Sequence, residues 1–252
     1  QDLLNGTMST TNNTMNSSIT YNQRFGRANL TVSGNHTQNN GSQSFTTNLP
    51  KASFNVPRFF PLKTNDGKSQ WYDKLGMNYS MVAEGRLKGN LGTISEKLDS
   101  LAGYNVNDVL REYGQYGVKH TSSLSTNAKL LKYITFSPSA NYTERWYFQQ
   151  YDYVFDAAQN KGVLADTVSG FTSVRDFGVN ASLNTKIYGT FLFSKGPVKA
   201  ARLMITPRAT FNFRPDFGTE QWNYYQNFTD TLGNSLYYNR YNGFLYGSPG
   251  RG

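Results

Sequence analysis

Phe177-Gly178-Val179-Asn180-Ala181-Ser182-Leu183-Asn184-Thr185-Lys186-Ile187-Tyr188-Gly189-Thr190-Phe191 lies inside the segment, Gly170 to Phe217, whose reading decides the fold. From Phe177 to Phe193 the odd positions are apolar or small, with Thr185 the exception, while Asn180, Ser182, Asn184, Lys186 and Thr190 occupy even ones. After the turn Ser194-Lys195-Gly196-Pro197 the contrast returns. Ala201, Leu203, Ile205, Pro207, Ala209, Phe211 and Phe213 oppose Arg202, Met204, Thr206, Arg208, Thr210, Asn212 and Arg214. A period of two sends alternate side chains to opposite faces, so each run reads as a strand with one apolar and one polar side. The short turn makes the pair a hairpin.

Length extends the argument. Strands of soluble proteins usually stop after about 5–6 residues, whereas a tilted strand crossing a bilayer takes about 9–11. Both runs are longer still. An apolar face and a polar face sustained this far are the pattern of an antiparallel transmembrane β-barrel, all-β, with the polar side turned to the lumen. A long soluble barrel or a β-solenoid has the same periodicity.

The 252 residues include 18 Tyr, 17 Phe, 23 Gly and no Cys, and only 37% are hydrophobic. That length suits one large β domain, and residues 1–252 are read as a segment of one barrel. A mean hydropathy of −0.59 excludes a helical membrane protein but not a barrel, half of whose strand residues face water. Lack of Cys removes disulfide scaffolds, thiolate zinc sites and Cys nucleophiles together. The opening at Gln1, without a signal-peptide pattern, is expected of a mature form or a fragment. The net charge of +9 is spread rather than gathered into a basic stripe, so no nucleic acid is expected as a partner.

Along the chain, residues 1–14 read as a loop or ragged start. Met15–Phe25 and Arg27–His36 form a hairpin through Gly26; Ser44–Val56 and Leu75–Arg86 follow as strands. Residues 94–113 break the alternation. Leu98, Leu101, Val109 and Leu110, with Asn107 as a cap, suit a short helical loop insertion. Gly117–Ser125 and Ile134–Phe148 are again extended, Tyr151–Ser169 reads as a polar loop, and the Tyr-rich Glu220–Gly252 turns at Leu232-Gly233-Asn234 and Asn242-Gly243. The strand count comes to roughly nine to twelve. The last residues, Ser248-Pro249-Gly250-Arg251-Gly252, do not end on the aromatic common to finished barrels, and closure is expected beyond them.

Little catalytic chemistry is visible. The two histidines, His36 and His120, have no carboxylate or second His at ligand spacing, so no metal is expected. Asp152, Asp156 and Asp166 lack EF-hand spacing and read as solvated. The serines near His120 have no G-x-S-x-G elbow, and no phosphate loop is present, so neither an enzyme nor a cofactor is expected. The polar-face residues are the candidates: Arg145, Arg202, Thr206, Arg208, Thr210, Asn212 and Arg214 would line the lumen. The arginine fork suits phosphate, while pairing with acids such as Glu84, or simply lining a water-filled pore, is the plainer account. Pro50, Pro57, Pro138 and Pro207 cannot donate to a ladder and are candidates for weakened strand pairing.

Five stretches carry a family resemblance. They are Asn48-Leu49-Pro50 with Phe54 to Lys63; Ser137-Pro138-Ser139-Ala140-Asn141-Tyr142-Thr143-Glu144-Arg145-Trp146-Tyr147; Thr185 to Phe191; Thr206 to Phe217; and Leu245-Tyr246-Gly247. Together they resemble the middle part of the barrel of the lipopolysaccharide-assembly outer-membrane protein LptD, in the form found in Bacteroidota. The resemblance spans most of residues 44–250. It implies a very large, laterally opening barrel in the outer membrane of a Gram-negative bacterium. Such a barrel passes lipopolysaccharide to the outer leaflet among the outer-membrane lipids. A plug lipoprotein (LptE-like) inside the barrel and a periplasmic bridge protein (LptA-like) are implied as partners. The family's periplasmic jelly-roll and the cysteines of its proteobacterial members are missing here.

Two other readings share the alternation. Another outer-membrane barrel, a TonB-dependent receptor or a porin, is one; the receptor would show a plug domain and an energy-coupling box, and neither is visible in this segment. A surface adhesin or soluble β-structure is the other, and extraction without detergent would favour it.

Overall fold

A computed structural model describes residues 13–64, 70–195, 197 and 199–251. The strands are β1 (Thr14–Phe25), β2 (Ala28–Asn39), β3 (Ser44–Phe59), β4 (Gly76–Asn90), β5 (Gly114–Ser125), β6 (Ala128–Leu130), β7 (Ile134–Asp156), β8 (Lys161–Asn184), β9 (Ile187–Leu192), β10 (Ala200–Ile205), β11 (Arg208–Phe213), β12 (Tyr225–Thr229) and β13 (Ser235–Asn239). Two helices, α1 (Leu91–Ser100) and α2 (Val106–Tyr113), lie between β4 and β5. One antiparallel sheet of nine strands runs β1-β2-β3-β4-β5-β7-β8-β11, with the short β6 also on β7. Its end strands, β1 and β11, are not paired to each other, so the sheet is open.

The ladder registers sort the side chains into two continuous faces. One carries Ser18, Asn35, Asn48, Arg86 and Gln115 across the first five strands, and Asn141, Gly178 and their neighbours further on. The other carries Ile19, Leu30, Phe54, Met81, Ala140, Val179 and Phe211, in the same strands. This apolar face is bare: Ile19 is 74% and Phe211 62% exposed. Soluble proteins rarely expose contiguous apolar patches beyond a few hundred Å², so lipid is the medium this face suits.

The apolar band also slips from strand to strand. Tyr21, in the middle of the β1 apolar run, leads across the ladder through Val32, Ala52, Ala83 and Val118 to Trp146. Trp146 lies five residues past the middle of the apolar run on β7, which extends on this face from Ile134 to Phe148. At about 3.3 Å per residue and about 4.8 Å per strand step, a level membrane band then requires strands tilted by roughly 35°. Transmembrane barrels have a tilt of about 35–45°. A carboxylate on this face, Glu144, is saturated by Tyr142 Oη (2.6 Å), Trp146 Nε1 (2.9 Å) and Arg175 Nε (3.3 Å), which offsets its desolvation.

Several expectations are corrected. Each long run of Gly170–Phe217 is two strands rather than one, with breaks at Thr185-Lys186 and Thr206-Pro207. The register is nevertheless continuous through the break, and Thr185 N donates to Pro207 O at 3.3 Å. Proline has no N–H to return the second bond, so the ladder bends there. Gly196 of the connecting turn lies outside the described residues. Tyr151–Ser169 is not a loop: it is the paired far end of β7 and β8, turned by Asp156, whose Oδ1 accepts from Ala158 N (2.9 Å) and Gln159 N (3.2 Å). Here the contrast has the opposite sense: Tyr151, Tyr153 and Phe155 take the parity of the polar face and pack against Phe244, Tyr238 and Phe228. Counting it all, the described residues hold thirteen strands, above the range of nine to twelve. Thr14 begins β1 rather than ending a loop, and residues 1–12 lie outside the described residues.

The helical insertion starts at Leu91 rather than at 94. Asn90 caps α1 by accepting from Thr93 N (3.2 Å). Asn105, not Asn107, caps α2, accepting from Asn107 N (2.9 Å) while Asp108 Oδ2 takes the Asn105 N–H (2.9 Å). Ile94 and Val109 bury themselves against Phe45 on the sheet. Gly89 permits this approach, since a Cβ there would sit 2.8 Å from Ile94 Cδ1.

Candidate functional site

The polar face is a wall built by strand parity, and most of its residues are Asn, Ser, Thr, Lys and Arg. Arg208, Thr210 and Asn212 on β11 stand beside Asn184, Ser182 and Asn180 on β8, which in turn adjoin Thr135, Ser137 and Ser139 on β7. Arg145 shares this wall but lies six residues further along β7 than Ser139, roughly 20 Å away at the strand rise. Its Nη1 donates to Asp176 Oδ1 at 2.5 Å, and both side chains are mostly buried. Arg202 is on the separate β9–β10 hairpin with its guanidinium 4.9 Å from the Tyr188 ring centre, and Arg214, just past β11, lies 5.6 Å from that of Phe217. Thr206 is at the bend between β10 and β11. The seven residues therefore form no single cluster. Glu84 is buried and bonds Arg86 Nη2 (3.0 Å) and Lys51 Nζ (3.5 Å), rather than any of the four arginines.

The prolines fall at irregularities of different kinds. Register shifts occur between Asn48 and Lys51, flanking Pro50, and between Val56 and Phe59, flanking Pro57. Pro138 keeps an unbroken register with Ala181; its carbonyl accepts from Thr126 N (3.2 Å), at the gap between β5 and β6. Pro207 marks the bend described above.

What the alternation could not reveal is a strap. After β11 the chain turns back and lays Pro215 to Arg251 over the polar face of β4, β5, β7 and β8. Tyr147 and Val174 of the wall and Phe217, Tyr224, Tyr241 and Phe244 of the strap form a buried cluster. Hydrogen bonds pin it: Tyr147 Oη to Gly247 O (2.7 Å), Gln115 Nε2 to Gly243 O (3.1 Å) and Tyr246 Oη to Val82 O (3.3 Å). Gly117 makes room, because a Cβ there would stand 3.2 Å from the Tyr246 ring. Asp230 shapes the β12–β13 turn by accepting from Leu232 N (2.8 Å) and Asn234 N (2.7 Å). The only sequence signal for the strap is the density of Tyr after Glu220, without alternation.

Where strap, wall and α2 meet, a cavity of about 560 Å³ is lined by Arg86 and Lys88 of β4, Arg111 of α2, Tyr113, Gln149, Tyr151 and Gly243. Below it the two helices are joined by an ion pair between Lys97 and Glu112 and by Tyr104 Oη donating to Glu112 Oε2 (2.7 Å). Those two donors hold the Glu112 carboxyl below the usual carboxylate range. The same carboxylate raises Lys97, and burial together with the bond to Glu112 pushes Tyr104 up to about 12.

His36 Nδ1 contacts Thr47 Oγ1 (2.7 Å), and His120 Nδ1 contacts Tyr79 Oη (2.8 Å), both on the apolar face. Asp152 and Asp166 are cross-strand partners on β7 and β8, not loop residues. Among the described residues no helix is long and apolar enough to cross a membrane, which leaves crossing by strands open.

A family model described as LptD protein matches residues 2–252. The chain belongs to the LptD family. Neither a curated protein nor a solved structure matches it. This LptD chain thus has its role in lipopolysaccharide transport and assembly at the outer membrane, in a family of transport and assembly proteins. Its open antiparallel sheet is a portion of the family's β-barrel.

Proposed function

We propose that this LptD chain forms a middle part of the wall of a laterally opening barrel that inserts lipopolysaccharide into the outer leaflet. The observation that carries this reading is the pairing of an unbroken polar wall with a bare apolar band that slips at the tilt of a membrane barrel. The sugar portion passes along the wall, over Arg208, Thr210, Asn212 and Arg145, with Arg202, Thr206 and Arg214 along the same route. The acyl chains leave sideways where strand pairing is weak. The register shifts beside Pro50 and Pro57 and the bend at Pro207 support weak pairing at those prolines, and Pro138 contributes at the gap between β5 and β6. A plug lipoprotein would occupy the lumen and a periplasmic bridge protein would deliver the substrate.

The test is in-cell photocrosslinking in the full-length protein, with probes at Thr206, Thr210 and Asn212 and at outward Phe211 as control. Lipopolysaccharide adducts at the polar positions, lost when transport is blocked, are the expected result. A correctly assembled protein without adducts at any position would return the chain to a porin-like or receptor-like role.

A further inference from the structure

We infer that the cavity between strap, wall and α2 binds a phosphate- or carboxylate-bearing sugar of the passing glycan. This inference rests on the transport reading above. Arg86 and Lys88 sit two residues apart on β4 and therefore on one face, and Arg111 of α2 lines the same space. The only acid in the lining, Glu112, is already held by Lys97 and Tyr104. Arg86 is committed to Glu84 and to Asn48 Oδ1 (3.1 Å), whereas Lys88 and Arg111 have no ion-pair partner among the described residues. Two uncommitted cations thus face one space.

The rest of the lining is what a sugar ring needs. Tyr113, with Lys97 over its ring, and Tyr151, stacked on Phe244, line it with aromatic carbon, and the Gln149 amide both donates and accepts hydrogen bonds. Cations alone would fit any anion; cations beside tyrosines and amides fit an acidic sugar. Charge-assisted bonds to phosphate or carboxylate are about twice as strong as neutral ones. The volume of about 560 Å³ lies within the roughly 300–1,000 Å³ of small-ligand sites. Arg86, Gln115, Gln149 and Tyr151 of its lining belong to the polar wall by strand parity, so a glycan moving along that wall passes this space.

The experiment uses the full-length protein in its own cell, with photoreactive probes at Gln149 and Thr167 in the cavity and at Thr210 and Asn212 on the wall. Lipopolysaccharide adducts are expected in both places. Lys88→Gln combined with Arg111→Gln is expected to lower the Gln149 adduct about tenfold, through loss of two charge-assisted contacts, and to leave the Thr210 adduct within about twofold. Arg86 is left intact because it holds buried Glu84, and unchanged heat-modifiable mobility reports the fold. Adducts at Thr210 but none at Gln149 or Thr167, or a Gln149 adduct indifferent to the double substitution, overturn this inference and leave the transport reading standing. Silence at all four positions removes both. In the purified complex, dephosphorylated and carboxyl-reduced lipopolysaccharide should lose the Gln149 adduct, and its retention overturns the acidic-sugar assignment. Stabilisation of the complex by inorganic phosphate alone, without a glycan adduct, would mark a free-anion site instead.

Discussion

The Tyr224 hydroxyl takes the place of a neighbouring strand for Arg175. It accepts from Arg175 N at 2.7 Å and donates to Arg175 O at 3.0 Å, satisfying two backbone groups on the edge that β11 leaves uncovered beyond Phe213. Phe217 and Trp222 continue round the same edge to meet the ring of Phe177, at 5.9 and 6.4 Å between centres. The strap is therefore a cover for the edge as well as for the wall. Tyr224→Phe keeps the packing and orphans both groups, at a cost of about 1–3 kcal/mol. Hydrogen exchange at the Arg175 amide should speed up more than at Val174, and equal exchange rates in the two proteins would refute the edge role.

Arg145 and Asp176 compensate each other inside the wall, with side-chain exposures of 12% and 20%. Arg145→Ala leaves a mostly buried carboxylate unpaired. Full burial would cost about 3–5 kcal/mol, and the residual solvent contact reduces this to roughly 1–3 kcal/mol. Adding Asp176→Ala should recover part of the loss. A double-mutant cycle on denaturation midpoints measures the coupling, and strict additivity would show that the pair contributes nothing.

Pro207 withholds one ladder bond at the bend. Pro207→Val supplies an N–H to the Thr185 carbonyl side and is expected to join β8 with β9 and β10 with β11 into two straight strands, adding about 0.5–1.5 kcal/mol locally. The new amide at 207 should be protected from exchange. An unprotected amide there would mean that the bend has another cause.

The α1–α2 hairpin should have a defined pH window. Glu112 is depressed in the folded state, so its contribution is present above the ordinary carboxylate pKa and fades as pH falls through the lowered value. Lys97 is raised, so its contribution is complete below the ordinary lysine pKa and fades as pH climbs through the raised one. Protection of the Gly114 amide, which closes α2 by donating to Leu110 O, should be highest between about pH 5 and pH 10. Lys97→Gln should flatten the acid limb, and an unchanged limb would show that Glu112 is held by other groups.

Much of this protein was legible in its residues because a pleated strand turns each residue opposite to its neighbours. That local rule assigned Phe177 and Phe211 to one face and Asn180 and Thr210 to the other, and the missing N–H of proline pointed to Pro50, Pro57 and Pro207, which lie at register shifts or a strand break, and also to Pro138, whose register is unbroken. It failed where the contrast reverses or runs on without a break. In Tyr151–Ser169 the rings of Tyr151, Tyr153 and Phe155 take the polar-face parity and pack against the strap. The bend at Thr206-Pro207 preserves parity, so alternation runs through it unnoticed.

The strap and the cavity were decided only in three dimensions. Tyr147 meets Gly247, and Tyr246 meets Val82, across 100 and 164 residues of chain. Nothing periodic in a Tyr-rich tail specifies which wall it will lie on. The same holds for the choice of partner among charges: Arg145 found Asp176 on the adjoining strand, Glu84 took Arg86 and Lys51, and Lys88 and Arg111 were left lining one space. Side-chain parity is a property of the backbone, readable one residue at a time. Ion pairing and docking depend on which surfaces the finished sheet brings within a few ångströms, and that is settled by tertiary packing.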